Sequence, residues 1–410
     1  MVQELERNRQ IPNFPETAPA ANPVFFRTYS RRTEAGLRET WDQVCDRTLQ
    51  GLIKLGQLSH EEAALLEKMQ RQLKALPSGR WLWVGGTNWL VKPKNFSGAY
   101  NCTSTNLVDW SAFGLMMDLA MMGCGTGAVL EPQYINQLPP IRNNLHITVQ
   151  GEIGSTPKDL RREFTQTHIE GNCVTIYVGD SREGWVKSYQ TLLELSTDDT
   201  FTSEVQVCVN ISDVRQAGET LNGFGGMANP VKLPGLYQSC ASILNRAVGR
   251  KLNSVECCLL IDQAAVTIVA GNIRRSAGMR QFTAEDQLAA TAKDNLWQQD
   301  ENGNWRIDPE RDALRMANHS RVFHHKPTLE ASIEAVKKQY YSGEGAIQWA
   351  GEAVARANCD LLSTPALKTE FLQAYDQGKA RQWLEQHYPQ LDAKELEHRL
   401  ARYALNPCGR

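Results

Sequence analysis

Between about residues 80 and 360 the chain alternates apolar strand-type runs with helical patterns. LHITVQ (145–150), NCVTIYV (172–178) and the run Val205 to Ile211 are alternating or β-rich. Helical periodicity is expected from Gly179 through Leu195, from about Leu236 to Val248 and from Val255 to Val269. Strands separated by helices pair in parallel with the helices packed on the sheet faces, so a mostly parallel α/β core is predicted. The 410 residues suit two or three domains, or one large α/β barrel. At 41% hydrophobic and 22% charged, the composition allows a sizeable core.

Charge and hydropathy narrow the function classes. A net charge of −2 gives no general attraction to nucleic acid or to a membrane surface, so neither is expected as a partner. The most apolar windows contain Asp118 and Asp262, which argues against membrane spans. The first residues, MVQELERNRQIPNFPETAPAANP, read as a polar, Pro-rich flexible arm over 1–23 without the order of a secretion signal, and a cytoplasmic protein is expected. None of the ten cysteines stands in a C-x-x-C spacing, so zinc ribbons and thioredoxin-like pairs are not expected, and no metal site is predicted. Any functional group of cysteines has to be assembled by the fold.

Taken in order, residues 24–77 read as a helical layer, with Ser59 to Glu62 as a capping box and Pro77 as a stop. Trp81 to Val84, closed by Gly85-Gly86, reads as a buried strand, and a second short strand is expected to end at Ala99-Tyr100-Asn101-Cys102. A helix over Leu115 to Met122 runs into Gly123-Cys124-Gly125-Thr126-Gly127-Ala128. That run matches G-x-G-x-x-A, yet the dinucleotide fingerprint needs a strand before it and a helix after it, and here the order is reversed. A nicotinamide-dependent oxidoreductase built on these glycines is therefore disfavoured, while backbone contact with a phosphate or ribose fits. Asp180 or Ser181 is an N-cap, Asp300 to Asn304 a hairpin turn, and Thr328, Thr364-Pro365 and Asp392 open later helices. The chain closes on Asn406-Pro407-Cys408-Gly409-Arg410, where Asn406 and Cys408 share a face of an extended segment.

FFRTYSRR, LPSGRWLWVGGT, YNC, MMGCGTG, GDSREGW, DVRQAG, GFGG, VAGNIRRSA and NPCG occur in this order. Together they resemble the adenosylcobalamin-dependent (class II) ribonucleotide reductases, most closely the monomeric ribonucleoside-triphosphate reductase branch. The resemblance implies a ten-stranded α/β barrel with an N-terminal helical layer and a finger loop bearing the radical cysteine. It implies that residues 78–130 give the first barrel strands and a substrate turn, 131–230 an effector region with a barrel strand, 231–360 the rest of the first barrel half, 361–403 helices, and 404–410 the finger-loop tip.

The same resemblance implies roles residue by residue. Cys408 would carry the thiyl radical, Asn406 would bind the substrate hydroxyls, and Cys102 would supply reducing equivalents. Ser78, Asn101 and Gly125 would contact ribose and phosphates, while Asp180, Arg182 and Arg215 would belong to the effector system. The implied cofactor is adenosylcobalamin; the implied partners are a ribonucleoside triphosphate substrate, a deoxynucleoside triphosphate effector and thioredoxin. The family's finger loop continues N-x-C-x-E, with the Glu as general base, whereas position 410 here is Arg, which stays protonated and cannot accept a proton. The chain is therefore expected to be the N-terminal portion of a reductase, separated from a C-terminal half by an artificial boundary, a frameshift, a split gene or an intein, and inactive alone. The alternative is a non-catalytic nucleotide-binding remnant or regulatory subunit.

Overall fold

The structure, a computed structural model, describes residues 14–33, 35–219, 230–268 and 277–407 of the chain. The described residues divide into two compact units, one formed by those up to Asn101, the other by those from Cys102 onward.

The first unit is helical. Helices α1 (Ala21–Thr28), α2 (Trp41–Gly56), α3 (His60–Arg71) and α4 (Gly79–Val84) precede a 3-10 segment, Pro93–Ala99. Reciprocal capping boxes start α2 (Thr40 with Gln43) and α3 (Ser59 with Glu62), each satisfying two otherwise orphaned backbone donors. Phe25, Trp41, Val44, Cys45 and Leu82 form the small core of this unit. Three sequence expectations are corrected here, the first being the strand expected to end at Ala99 to Cys102: Pro93–Ala99 is a 3-10 segment, and a strand only begins at Cys102. Residues 81–84, read as a strand, belong to α4, because Ser78 accepts a hydrogen bond from the Trp81 N–H and starts a helical turn. A short apolar run has the same appearance in either state. The arm is also shorter than expected, since α1 begins at Ala21.

The second unit holds the sheets. Strands β1 (Cys102–Asn106), β2 (Gly125–Val129), β7 (Gly278–Thr283), β10 (Ala317–Phe323) and β11 (Ala346–Trp349) form a five-stranded sheet in the order β1-β2-β7-β10-β11. Every neighbouring pair in it is parallel, with Cys102 opposite Gly125 and Arg280 opposite His319. A second sheet, order β3-β6-β5-β4, contains β3 (Asn144–Gln150), β4 (Gln166–Glu170), β5 (Cys173–Tyr177) and β6 (Glu204–Asn210); only the β4–β5 pair is antiparallel. The hairpin β8 (Trp297–Gln299) and β9 (Trp305–Ile307) matches the expected turn.

Helices α5 (Trp110–Met121), α6 (Pro132–Ile135), α7 (Arg182–Leu195), α8 (Leu233–Asn245) and α9 (Ser254–Ile268) supply most of the main core, with Phe113, Met117, Tyr189, Leu192, Tyr237 and Leu260 fully enclosed. The short α10 (Gln287–Thr291) is followed by α11 (Leu329–Ser342) and α12 (Ala350–Ala357), and then by α13 (Pro365–Asp376), α14 (Ala380–His387) and α15 (Ala393–Leu400). Helices α12 to α15 build a second core around Phe371 and Leu384 that reaches Val129 and Val322 of the five-stranded sheet. Among the described residues no helix is long and apolar enough to cross a membrane.

Candidate active site

Parallel pairing sets the first feature. Residues two apart on a strand share a face, so Gly125 and Gly127 of β2 present bare backbone on the same side of the sheet. The C-terminal segment occupies that space. A Cβ at Gly127 would lie 2.4 Å from the Leu405 carbonyl oxygen, and one at Gly125 would lie 2.9 Å from Cys102 Sγ and 3.3 Å from Pro407 Cγ. The spaced glycines are thus explained by close approach of a chain segment. The segment is also tied down by amides. The Leu405 N–H donates to Gln281 Oε1 (2.8 Å), Gln281 Nε2 donates to Gln348 Oε1 (2.6 Å), and Gln348 Nε2 donates to the Tyr403 carbonyl (2.5 Å). β7 and β11 thereby hold the residues that lead to Cys408.

Below this clamp sits a buried carboxylate. Glu131, at the end of β2, is 1% exposed. Its Oε2 accepts from the Tyr403 hydroxyl (2.6 Å), from His324 Nε2 (2.9 Å) and from Gln133 Nε2 (3.0 Å), while Oε1 has no protein partner. The carboxylate raises the His324 pKa, through the hydrogen bond first, against the opposing effect of burial. Burial, and then the Glu131 charge, push the Tyr403 phenol up, so it remains a donor. Both ends of Tyr403 are fixed, its carbonyl by Gln348 and its hydroxyl by Glu131.

The remaining sequence candidates are divided between the two units. Ser78 caps α4 in the first unit. Asn101, in the same unit, accepts from Arg80 Nε through Oδ1 (3.2 Å), and Arg80, 1% exposed, also donates to the Gly98 carbonyl (3.1 Å). Asn406 is half-buried between Leu405 and Pro407. Cys408 and Arg410 lie outside the described residues, as do GFGG and most of VAGNIRRSA.

Asp180 and Arg215 are joined in the second unit: Asp180 Oδ1 accepts from Arg215 Nε (2.7 Å) and from the Arg215 N–H (3.0 Å), and Asp180 Oδ2 meets Arg161 Nη1 at 3.3 Å. Arg161 also pairs with Glu219 at 2.9 Å. Arg182, at the start of α7, instead contacts Asp118 of α5 and Glu183.

Residues 150–244, which run from the end of β3 to α8, match the model of the B12-dependent ribonucleotide reductase insertion domain. The adenosylcobalamin-dependent ribonucleoside-triphosphate reductase of Lactobacillus helveticus is 27% identical over 308 residues, covering 64% of this chain and 41% of the relative. Those of Levilactobacillus brevis and Lactobacillus leichmannii are each 28% identical, over 312 and 308 residues. A crystal structure of B12-dependent (class II) ribonucleotide reductase superposes with a TM-score of 0.59 at 23% identity, covering 73% of this chain and 45% of that one. The chain is related to the class II ribonucleotide reductases. It spans about two fifths of the length of the reductases just named, 41% to 42%.

The five parallel strands agree with the α/β barrel architecture of a class II reductase, and the stretch matched by the insertion-domain model carries β4, β5, β6, α7 and nearly all of α8. Reading the sequence did not pick out Arg80, Glu131, Gln281, His324, Gln348 or Tyr403 as site residues. Gln281 and Gln348 are polar residues inside strands, Glu131 and His324 follow strands, Arg80 lies in α4 and Tyr403 follows α15, and only the fold shows that Gln281, Gln348 and Tyr403 meet.

Proposed function

We propose that this chain takes part in the reduction of ribonucleoside triphosphates to 2′-deoxyribonucleoside triphosphates, contributing the radical cysteine and one reducing thiol. The observation that supports the reading most is the seating of Leu405 to Pro407 on Gly125 and Gly127, beside Cys102 Sγ. Cys408 follows directly in the sequence. A thiyl radical on Cys408 removes the 3′-hydrogen of the ribose, which activates the adjacent carbon–oxygen bond, and returns that hydrogen at the end. Loss of the 2′-hydroxyl as water consumes two electrons and two protons, of which Cys102 supplies one of each with a second thiol, leaving a disulfide for thioredoxin to reduce. Asn406 orients the substrate hydroxyls. Ser78, Asn101 and Gly125 serve the ribose and phosphates through hydroxyl, amide and backbone N–H groups.

Adenosylcobalamin, the cofactor in the relatives' names, would generate the radical. The described residues single out no set that holds a corrinoid. Asp180, Arg182 and Arg215 belong in this reading to the region that receives a deoxynucleoside triphosphate effector. Support comes from the match of residues 150–244 to the insertion domain and from the linkage of Asp180 to the loop after β6.

The test combines this chain with a polypeptide carrying the remaining part of a class II reductase, adenosylcobalamin, a dithiol and labelled ribonucleoside triphosphate. Deoxynucleotide should form, and Cys102→Ser should abolish multiple turnover while leaving a thermal unfolding midpoint like that of the parent. Full multiple turnover by the Cys102→Ser protein contradicts the role given to this thiol. Effector binding with no turnover in any combination supports instead a nucleotide-binding remnant.

A further inference from the structure

Cys258 and Asp262 stand one turn apart on α9, so their side chains project from the same face. That face meets β7 and β10, where Arg280 and His319 are register partners on adjacent strands. The outcome is a buried meeting of three different ligand types. Cys258 Sγ lies 3.2 Å from Asp262 Oδ2 and 3.6 Å from His319 Nε2, and the three atoms all fall within 4.8 Å of one another. Metal–sulfur, metal–nitrogen and metal–oxygen bonds of ordinary zinc length, arranged tetrahedrally, put neighbouring ligand atoms roughly 3.5 Å apart. We propose that Cys258, Asp262 and His319 form a zinc-binding site.

The surroundings orient each ligand. Both Arg280 contacts to the carboxylate go to Oδ1, from Nε at 3.1 Å and Nη2 at 2.7 Å, which leaves Oδ2 turned toward the sulfur. Arg280 is itself held by the carbonyls of Thr126 (2.8 Å) and Met279 (3.0 Å), so the carboxylate cannot swing without moving a fixed guanidinium. Outer partners of this kind set ligand orientation in metal sites. Metal would bind the Nε2 lone pair of a neutral imidazole. Of the three residues, His319 also lines a cleft of about 70 Å³ with Phe282, Ser320, Lys293 and Glu344.

Thiolate, imidazole and carboxylate together favour zinc over magnesium or calcium, which prefer oxygen alone. Binding replaces the Cys258 S–H bond with a metal–sulfur bond and releases one proton to solvent.

The test uses the 410-residue chain, stripped with chelator, in a background with the exposed Cys173 and Cys359 replaced by serine to reduce the number of competing thiols, the Cys258 and His319 variants reporting what the others contribute. Cobalt(II) serves as a spectroscopic probe and zinc as its competitor. The expected result is one equivalent of cobalt giving a thiolate-to-metal charge-transfer band, displaced by zinc. Cys258→Ser should lose the band, and His319→Gln should weaken binding by more than the roughly 10–100-fold that loss of an outer partner causes. Thermal unfolding of the metal-free variants shows whether each is folded, and either folded variant suffices for the comparison. A band of equal strength in the parent and a folded variant overturns the site, as does failure of the parent to bind one equivalent; the three residues are then a hydrogen-bonded core cluster.

Discussion

At Gly127 a single methyl group separates two arrangements of the chain end. An added Cβ would come within 2.4 Å of the Leu405 carbonyl oxygen and 3.0 Å of the Thr103 carbonyl oxygen, both backbone atoms that cannot rotate away. Gly127→Ala should therefore displace residues 404–407 from the sheet, at an expected stability loss of about 1–3 kcal/mol. Hydrogen exchange at Leu405, whose N–H donates to Gln281, reads the displacement directly; exchange as slow as in the parent contradicts it.

The same position shows what the sequence could reveal. The G-x-G-x-x-A pattern is visible in the residues, and its wrong flanks exclude a dinucleotide turn. Its purpose was not legible, because the segment that fills the groove lies almost 280 residues later. His324 supports a second prediction. Glu131 raises its pKa above the ordinary value of about 6.5, so the stabilisation is fully present below that value and is lost as pH rises through the raised folded pKa. The stability of the parent relative to His324→Gln, followed by thermal unfolding, should fall across that interval by on the order of 1 kcal/mol or less, since the imidazole remains partly exposed. Parallel pH curves for the two proteins remove the linkage.

Among the elements, α7 joins the insertion domain to the effector proposal. Ser181 caps it by accepting from the Gly184 N–H at 2.9 Å, and the adjacent Asp180 fastens Arg215 and Arg161. Asp180→Ala removes the acceptor shared by two cations that are 8% and 21% exposed; Arg161 keeps Glu219, whereas Arg215 loses its carboxylate partner, and the expected cost is about 2 kcal/mol. Deoxynucleoside triphosphate binding should weaken with it, whereas Ser181→Ala should cost only about 1 kcal/mol through the lost cap. Calorimetry on both variants separates the two effects; unchanged nucleotide affinity in a folded Asp180→Ala protein excludes this knot from the effector system.

Helices with strong end signals were legible in advance: α3, α7, α11, α13 and α15 begin where Ser59, Ser181, Thr328, Thr364 and Asp392 indicated. Strand β4 was not, because its residues, QTHIE, are all exposed and carry little apolar signal. α4 was misread for the opposite reason, since most of its short run is buried.

For the molecule as a whole, the decisive property is the open five-stranded sheet. β1 and β11 are its outer strands, and among the described residues each pairs on one side only within it. An edge strand presents unpaired backbone donors and acceptors that another strand can extend. The class II relatives are more than twice as long as the portion matched, and their fold is a barrel. The chain on its own should therefore associate with itself as concentration rises, and it should form no deoxynucleotide even with adenosylcobalamin and a dithiol. A polypeptide carrying the remaining strands should suppress the self-association and restore turnover together, because closure of the sheet and completion of the site are one event in this reading. Sedimentation velocity and product formation, followed along one titration with that polypeptide, report the two properties side by side. Turnover by the isolated chain, or closure without turnover when Cys408 and Cys102 are intact, breaks the link between sheet closure and catalysis.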